Sequence, residues 1–153
     1  MKDLYKYYWA FINLGYTVDA FDASPEMVNC SKEVYGLNVW EMRFEEYESS
    51  ELYDGIWCCA SLLHVRMDDL QDAISRLMKS LKNDGVMYIS FKYGNTERVK
   101  DGRHFTDMDE KSLQGIISRF DNLTIESIWL TDDVRPHRDD KWLNAILKKV
   151  GCE

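Results

Sequence analysis

The residues best placed to do chemistry lie in the stretch from Tyr53 to His64. It runs apolar from Ile56 to Ala60, with Asp54 and Gly55 before it and Ser61, Leu62, Leu63 and His64 after it. An apolar run of this length predicts a strand buried on both faces, the kind found inside parallel sheets. In an open α/β sheet, ligands bind beyond the carboxyl ends of such strands. Ser61 and His64 therefore stand where a cofactor or a substrate is met. A core strand followed by an ordinary loop accounts for the same residues equally well.

Two other groups with reactive side chains carry less. The acidic run Glu45, Glu46, Glu48 and Glu51 has no metal-ligand pattern and reads as a solvated loop. Cys30, Cys58, Cys59 and Cys152 show neither paired metal-ligand spacing nor a disulfide framework. Cys58 and Cys59 are adjacent, so on a strand they point to opposite faces. Reduced structural thiols are expected, as in a reducing compartment. No metal site is predicted.

The elements that must position Ser61 and His64 follow from patterning. Residues 3 to 14 place Leu4, Tyr8, Phe11 and Ile12 on one helical face, and Asn13 with Gly15 supplies a stop. Tyr16 to Asp22 alternates as a strand. Ser24 then suits an N-cap, Pro25 the first helical position, and Glu26 the positive helix end. That helix runs to about Tyr35 and stops at Gly36, and Leu37 to Phe44 reads as a strand.

Beyond the central run, Asp68 to Lys82 predicts a helix with Leu70, Ile74, Leu77, Met78 and Leu81 on its core face. Asn83, Asp84 and Gly85 make a turn into a buried strand from Val86 to Phe91. Residues 92 to 105 read as a long polar loop, of the kind that often serves as a lid or binding loop. Thr106 or Asp107 then caps a helix with Leu113, Ile116, Ile117 and Phe120 inward. Leu123 to Leu130 and Trp142 to Val150 are strands joined by a link too short and polar for a crossover helix, which predicts an antiparallel pair. The alternation of helices and strands calls for a mostly parallel sheet with helical crossovers.

Composition bounds the function. At 153 residues the chain is expected to form a single domain over 1–153, with a hydrophobic fraction of 45% that argues against disorder. A formal charge of −8 leaves no basic stripe for a nucleic-acid backbone. No apolar run approaches the roughly 20 residues of a membrane span, and the first residues are unlike a signal peptide. A small-molecule partner and a cytoplasmic location are expected.

Several segments together resemble the Rossmann-like (class I) S-adenosylmethionine-dependent methyltransferases, and among them the small tellurite-resistance type. They are Gly15 to Met27, Tyr53 to Trp57, Ser61 to His64, Leu81 to Val86, Ser90 to Gly94, Asp101 to Arg103, and Asp133 to Pro136. Each is weak alone, and their order and spacing are more specific. The resemblance spans roughly residues 11 to 148.

The resemblance implies an α/β, Rossmann-like three-layer sandwich with a mostly parallel sheet and an antiparallel C-terminal strand. It implies S-adenosylmethionine as cofactor. Asp22 would accept hydrogen bonds from the ribose hydroxyls, and Ala23 would lie beside it. The neighbourhood of Arg43 and Phe44 would meet the adenine ring. Ser61 would line the methionine end, and His64 is the candidate general base at the substrate entrance. A charged hydrogen-bond acceptor suits a ribose diol. Methyl transfer is an in-line displacement, so positioning does much of the work.

The resemblance departs from the family at the start. The first, central strand and its glycine-rich loop are missing from the sequence, since no Gly precedes Gly15. That loop lets backbone approach the cofactor closely. Its loss is expected to impair cofactor binding and to leave two sheet edges unpaired. Either the strands at Tyr16–Asp22 and Ile56–Ala60 pair directly, or a homo-oligomer, such as a dimer, covers the gap. Three readings follow: a methyltransferase-like protein with weakened cofactor binding, a non-catalytic scaffold or binding protein, and a composite enzyme completed by a partner chain.

Overall fold

The computed structural model describes residues 3–151. The chain packs as two compact units, one up to Tyr47 and one from Glu48 onward. Cys152 lies outside the described residues.

The first unit holds helix α1 (Asp3–Asn13), strand β1 (Ala20–Asp22), helix α2 (Pro25–Tyr35), strand β2 (Val39–Glu41) and a 3-10 turn at Phe44–Glu46. β1 and β2 pair in parallel, with Asp22 opposite Glu41. Helix α2 begins as its sequence dictates. The Ser24 hydroxyl accepts from the Met27 N–H at 3.3 Å, and Pro25 fills the first turn. It ends at Gly36, whose φ of +64° is the left-handed conformation that closes a helix. The core of this unit is Val28, Leu37 and Val39, with Tyr5, Tyr8, Ala20 and Tyr35 packed against it. Both strands are shorter than the alternation over 16–22 and 37–44 predicts. Residues 16 to 19 stay irregular because β2, the one strand β1 pairs with among the described residues, ladders only Ala20–Asp22, and a strand persists only where a ladder satisfies its backbone.

The second unit is built on a four-stranded mixed sheet whose strands lie in the order β3 (Tyr53–Cys58), β4 (Leu81–Lys92), β8 (Lys141–Lys149) and β7 (Leu123–Asp132). β3 runs parallel to β4. β8 is antiparallel to both β4 and β7. The antiparallel C-terminal pair is as the short link predicts, with β8 inserted between β4 and β7.

Helix α3 (Met67–Lys79) turns Leu70, Ala73, Ile74, Leu77 and Met78 into the core, and α4 (Glu110–Ile117) adds Leu113, Ile116 and Ile117. Met87, Ile89 and Phe91 of β4 and Leu143, Ala145 and Leu147 of β8 complete that core, all fully buried. The alternate positions carry a more open face on which Trp57 and Tyr88 stack at 4.0 Å.

Three local expectations change. Among the described residues β3 is an edge strand with one ladder neighbour, so Trp57 is 43% exposed and only Cys58 of its residues is buried. The run from Ile56 is apolar without being covered on both faces. Helix α3 stops at Lys79, and Asn83, Asp84 and Gly85 lie inside β4 as an irregularity where the β3 register shifts. There Asp84 has a φ of +65°, and a Cβ at Gly85 would come within 2.8 Å of the Lys82 carbonyl. Asp109, rather than Thr106 or Asp107, caps α4 by accepting from the Ser112 N–H at 2.8 Å.

Residues 92 to 105 are not a plain loop. β5 (Glu97–Lys100) and β6 (Arg103–Thr106) form an antiparallel hairpin. Its two-residue connection is Asp101-Gly102, with φ of +52° and +74°. Positive φ at both central residues is what a type I′ turn requires, and Asp-Gly is one of the commonest ways to supply it.

Candidate functional site

In the first unit, Asp22 ends β1 and Phe44 opens the 3-10 turn just after β2, so both lie at the carboxyl end of the parallel pair. The Asp22 Oδ1 accepts from the Ser24 N–H at 2.8 Å, which fixes the carboxylate at the strand end. Ala23 is the exposed residue between them. Phe44 packs edge-on against Phe21 at 5.5 Å, and Phe21 stacks on Tyr47 at 5.0 Å. Phe21 and Tyr47 are aromatic neighbours the sequence reading missed. Strand alternation sends Phe21 to the opposite face from Asp22, so the pattern around Asp22 did not point to it. Arg43 pairs with Glu45 at 3.8 Å.

In the second unit, β3 ends at Cys58 and Ala60 takes a φ of +49°, an unusual conformation for a residue with a side chain. Such strain clusters at functional loops, and here the Ala60 N–H donates to the buried Ser90 hydroxyl at 2.8 Å. Ser61 precedes the 3-10 turn Leu62–His64, whose Leu62 and Leu63 are buried. Burial dominates the Cys58 thiol and pushes it up to about 12, against a smaller lowering influence of the nearby Ser61.

His64 is held at both ring nitrogens. Nδ1 lies 2.9 Å from the His104 carbonyl, and Nε2 lies 2.8 Å from the Arg103 guanidinium. A carbonyl only accepts and a guanidinium only donates, so the ring carries its proton on Nδ1 and a lone pair on Nε2. His104 continues the network to Glu97 at 3.2 Å and Thr106 at 3.1 Å. The Thr106 hydroxyl donates to the Val65 carbonyl at 2.7 Å. Glu97 accepts from the Met67 N–H at the start of α3, at 2.7 Å, and this bond is the main reason its carboxyl is held below the usual range. The hairpin thus clamps the loop that follows β3. Arg103, His104 and Glu97 are the functional neighbours that reading residues 92 to 105 as a loop failed to place, and the Asp-Gly turn between alternating flanks was the signal.

A methyltransferase-domain family model matches residues 4–89. The chain belongs to that family. No curated protein matches it. Among solved structures, it is similar to the 1,6-didemethyltoxoflavin-N1-methyltransferase of Burkholderia thailandensis, which was crystallised with bound 1,6-didemethyltoxoflavin and S-adenosylhomocysteine. The TM-score is 0.75 at 20% identity, over 94% of this chain and 66% of the other. A methyltransferase from Methanosarcina mazei gives 0.76 at 11% identity, over 94% and 86%. TehB from Haemophilus influenzae gives 0.67 at 14% identity, over 91% of this chain and 51% of that one.

This member of the methyltransferase-domain family thus has the Rossmann-like α/β fold of class I methyltransferases, with a mixed sheet. It spans just under two thirds of the Burkholderia enzyme and about half of TehB. Asp22, Ala23, Phe44, Ser61 and His64 all fall within the residues the family model covers. Among the described residues, no group of His, Cys, Asp and Glu is placed to hold a metal, and no helix is long and apolar enough to cross a membrane.

Proposed function

We propose that residues 1–153 form one methyltransferase-like domain that transfers a methyl group from S-adenosylmethionine to a small molecule. The observation that carries this reading is the Asp22 carboxylate at the carboxyl end of β1. One oxygen is occupied by the Ser24 N–H, and Oδ2 makes no hydrogen bond among the described residues. A carboxylate so fixed can take the ribose hydroxyls. Ala23 continues the turn beside them, and the Phe44 ring offers an apolar surface to the adenine.

The cofactor supplies an electrophilic methyl carbon on a sulfonium. Held through Asp22 and Phe44, it would offer that methyl to the acceptor's lone pair, with the sulfur keeping the electron pair of the bond that breaks. Ser61 would line the methionine side. Where the acceptor carries a proton, His64 takes it on Nε2 once Arg103 has moved aside, which is why the hydrogen bond between them belongs to the reading.

A homo-oligomer is part of the proposal. β3 leaves one edge without a ladder neighbour among the described residues, and such edges recruit another chain. Isothermal titration with S-adenosylmethionine and S-adenosylhomocysteine, run beside light scattering on the same sample, tests both statements. Saturable heat and a mass above one chain are expected. No heat at ligand concentrations up to about 1 mM, the weak end of specific binding, overturns the enzyme reading in favour of a non-catalytic scaffold. A monomer's mass removes the oligomer.

A further inference from the structure

The hairpin that clamps His64 also walls a cleft of about 280 Å³, lined by Lys92, Arg98, Lys100, Arg138 and Lys141 against the carboxylates of Asp107 and Asp140. In a chain of net charge −8, three more positive than negative groups converge on this one site. Its own carboxylates leave the excess in place. Asp107 is held on Oδ2 by Arg98 and Thr96, while its buried Oδ1 has no hydrogen-bond partner among the described residues. Asp140 is shared between Lys92 at 3.7 Å and Arg138 at 3.8 Å, near the limit of an ion pair. Lys141 reaches Asp132 at 3.6 Å, and Lys100 makes no ion pair among the described residues.

The Phe105 ring organises two of these cations, Lys92 and Arg98, together with Arg103 beside the cleft. Lys92 sits 5.6 Å from its centroid, Arg98 5.3 Å and Arg103 5.9 Å. An aromatic face attracts cations but cancels none of their charge, so it holds their stems in place and leaves donors for a ligand. Guanidinium and ammonium groups fixed in this way match carboxylate and phosphate oxygens. The volume fixes the size class. A water occupies about 30 Å³, so an inorganic oxyanion would fill only a fraction of the cleft, whereas an organic molecule of modest size fills it.

The cleft opens at Lys92, the carboxyl end of β4, where ligands of parallel α/β sheets bind. Phe105 is also the neighbour of His64, edge to face at 4.9 Å. We propose that this cleft binds a small organic molecule bearing at least two acidic groups, and that such an anion is the methyl acceptor. The second clause rests on the methyltransferase reading above.

The test is isothermal titration at low salt, without S-adenosylmethionine, using citrate for carboxylates and fructose 1,6-bisphosphate for phosphates, with fructose and inorganic phosphate as controls. At least one organic anion is expected to bind, and which of the two identifies the acidic group. Lys100→Gln and Arg138→Gln, both on the cleft surface, should each weaken binding about tenfold at unchanged melting temperature, as should raised salt. Silence from both organic anions, binding that ignores both variants, or equal binding of inorganic phosphate or fructose overturns the proposal. S-adenosylhomocysteine is titrated separately on the same sample. Anion binding without cofactor binding keeps the site and removes the acceptor role, whereas cofactor binding without anion binding removes the site alone.

Discussion

Arg103 donates to Nε2 of His64 at 2.8 Å, and the two residues are brought together by a hairpin that starts 33 residues beyond the histidine. This bond sets the tautomer, because the opposite nitrogen must then carry the proton it gives to the His104 carbonyl. Nitrogen-15 chemical shifts of the imidazole should show a protonated Nδ1 and a bare Nε2. In Arg103→Ala the two tautomers should mix. A wild-type ring protonated at Nε2 would contradict the assignment.

Asp22 is fixed by one backbone donor, so two substitutions separate its roles. Asp22→Asn keeps an oxygen for the Ser24 N–H and loses the charge, whereas Asp22→Ala loses both. If the carboxylate holds a ribose, Asp22→Ala should weaken S-adenosylhomocysteine binding by about 1 to 3 kcal/mol, the scale for removing a charged hydrogen-bond partner. Titration calorimetry reads this directly, and unchanged affinity takes Asp22 out of the site.

The three described cysteines should differ in reactivity. Thiolate is the reactive form, and burial pushes the Cys58 thiol up to about 12. Iodoacetamide at mildly alkaline pH should therefore modify partly exposed Cys30 and Cys59 while sparing Cys58 in the folded protein, and should reach Cys58 after denaturation. Mass spectrometry of the labelled peptides decides it.

Asp133 accepts three bonds from the Arg135 guanidinium, two from Nε and one from Nη2, and one from its backbone N–H, and the side-chain pair holds its carboxyl well below the usual carboxylate range. A depressed value means the stabilisation is present above the unfolded-state value of about 3.9 and fades as pH falls toward the folded-state value. The melting-temperature gap between wild type and Asp133→Asn should thus be constant above about pH 5 and narrow on acidification below it. A gap that widens in acid would reverse the assignment.

Packing offers a further check. Leu77 on α3 is 2% exposed, and Leu77→Ala removes core volume that its neighbours cannot refill. A loss of about 2 to 5 kcal/mol in denaturant unfolding is expected. A loss below 1 kcal/mol would mean that α3 does not bury this face.

The amino-acid sequence by itself determined the elements that depend on local chemistry. Ser24, Pro25 and Gly36 place both ends of α2 because caps act within a few residues. The spacing of Leu70, Ile74 and Leu77 fixes the buried face of α3, and a short, mostly polar link between Leu130 and Trp142 forces β7 and β8 to run antiparallel. The position of Asp22 at a strand end, and of Ser61 and His64 after one, was legible for the same reason.

Only the tertiary structure decided what depends on partners distant in the chain. It made Ile56 part of an edge strand and ended β1 and β2 early, because ladders rather than propensity set strand limits. It also set Arg103 on His64, and Lys92, Arg98 and Arg103 around Phe105. No local pattern encodes those pairs, since charge and aromatic contacts across a hairpin take effect only once its register is fixed.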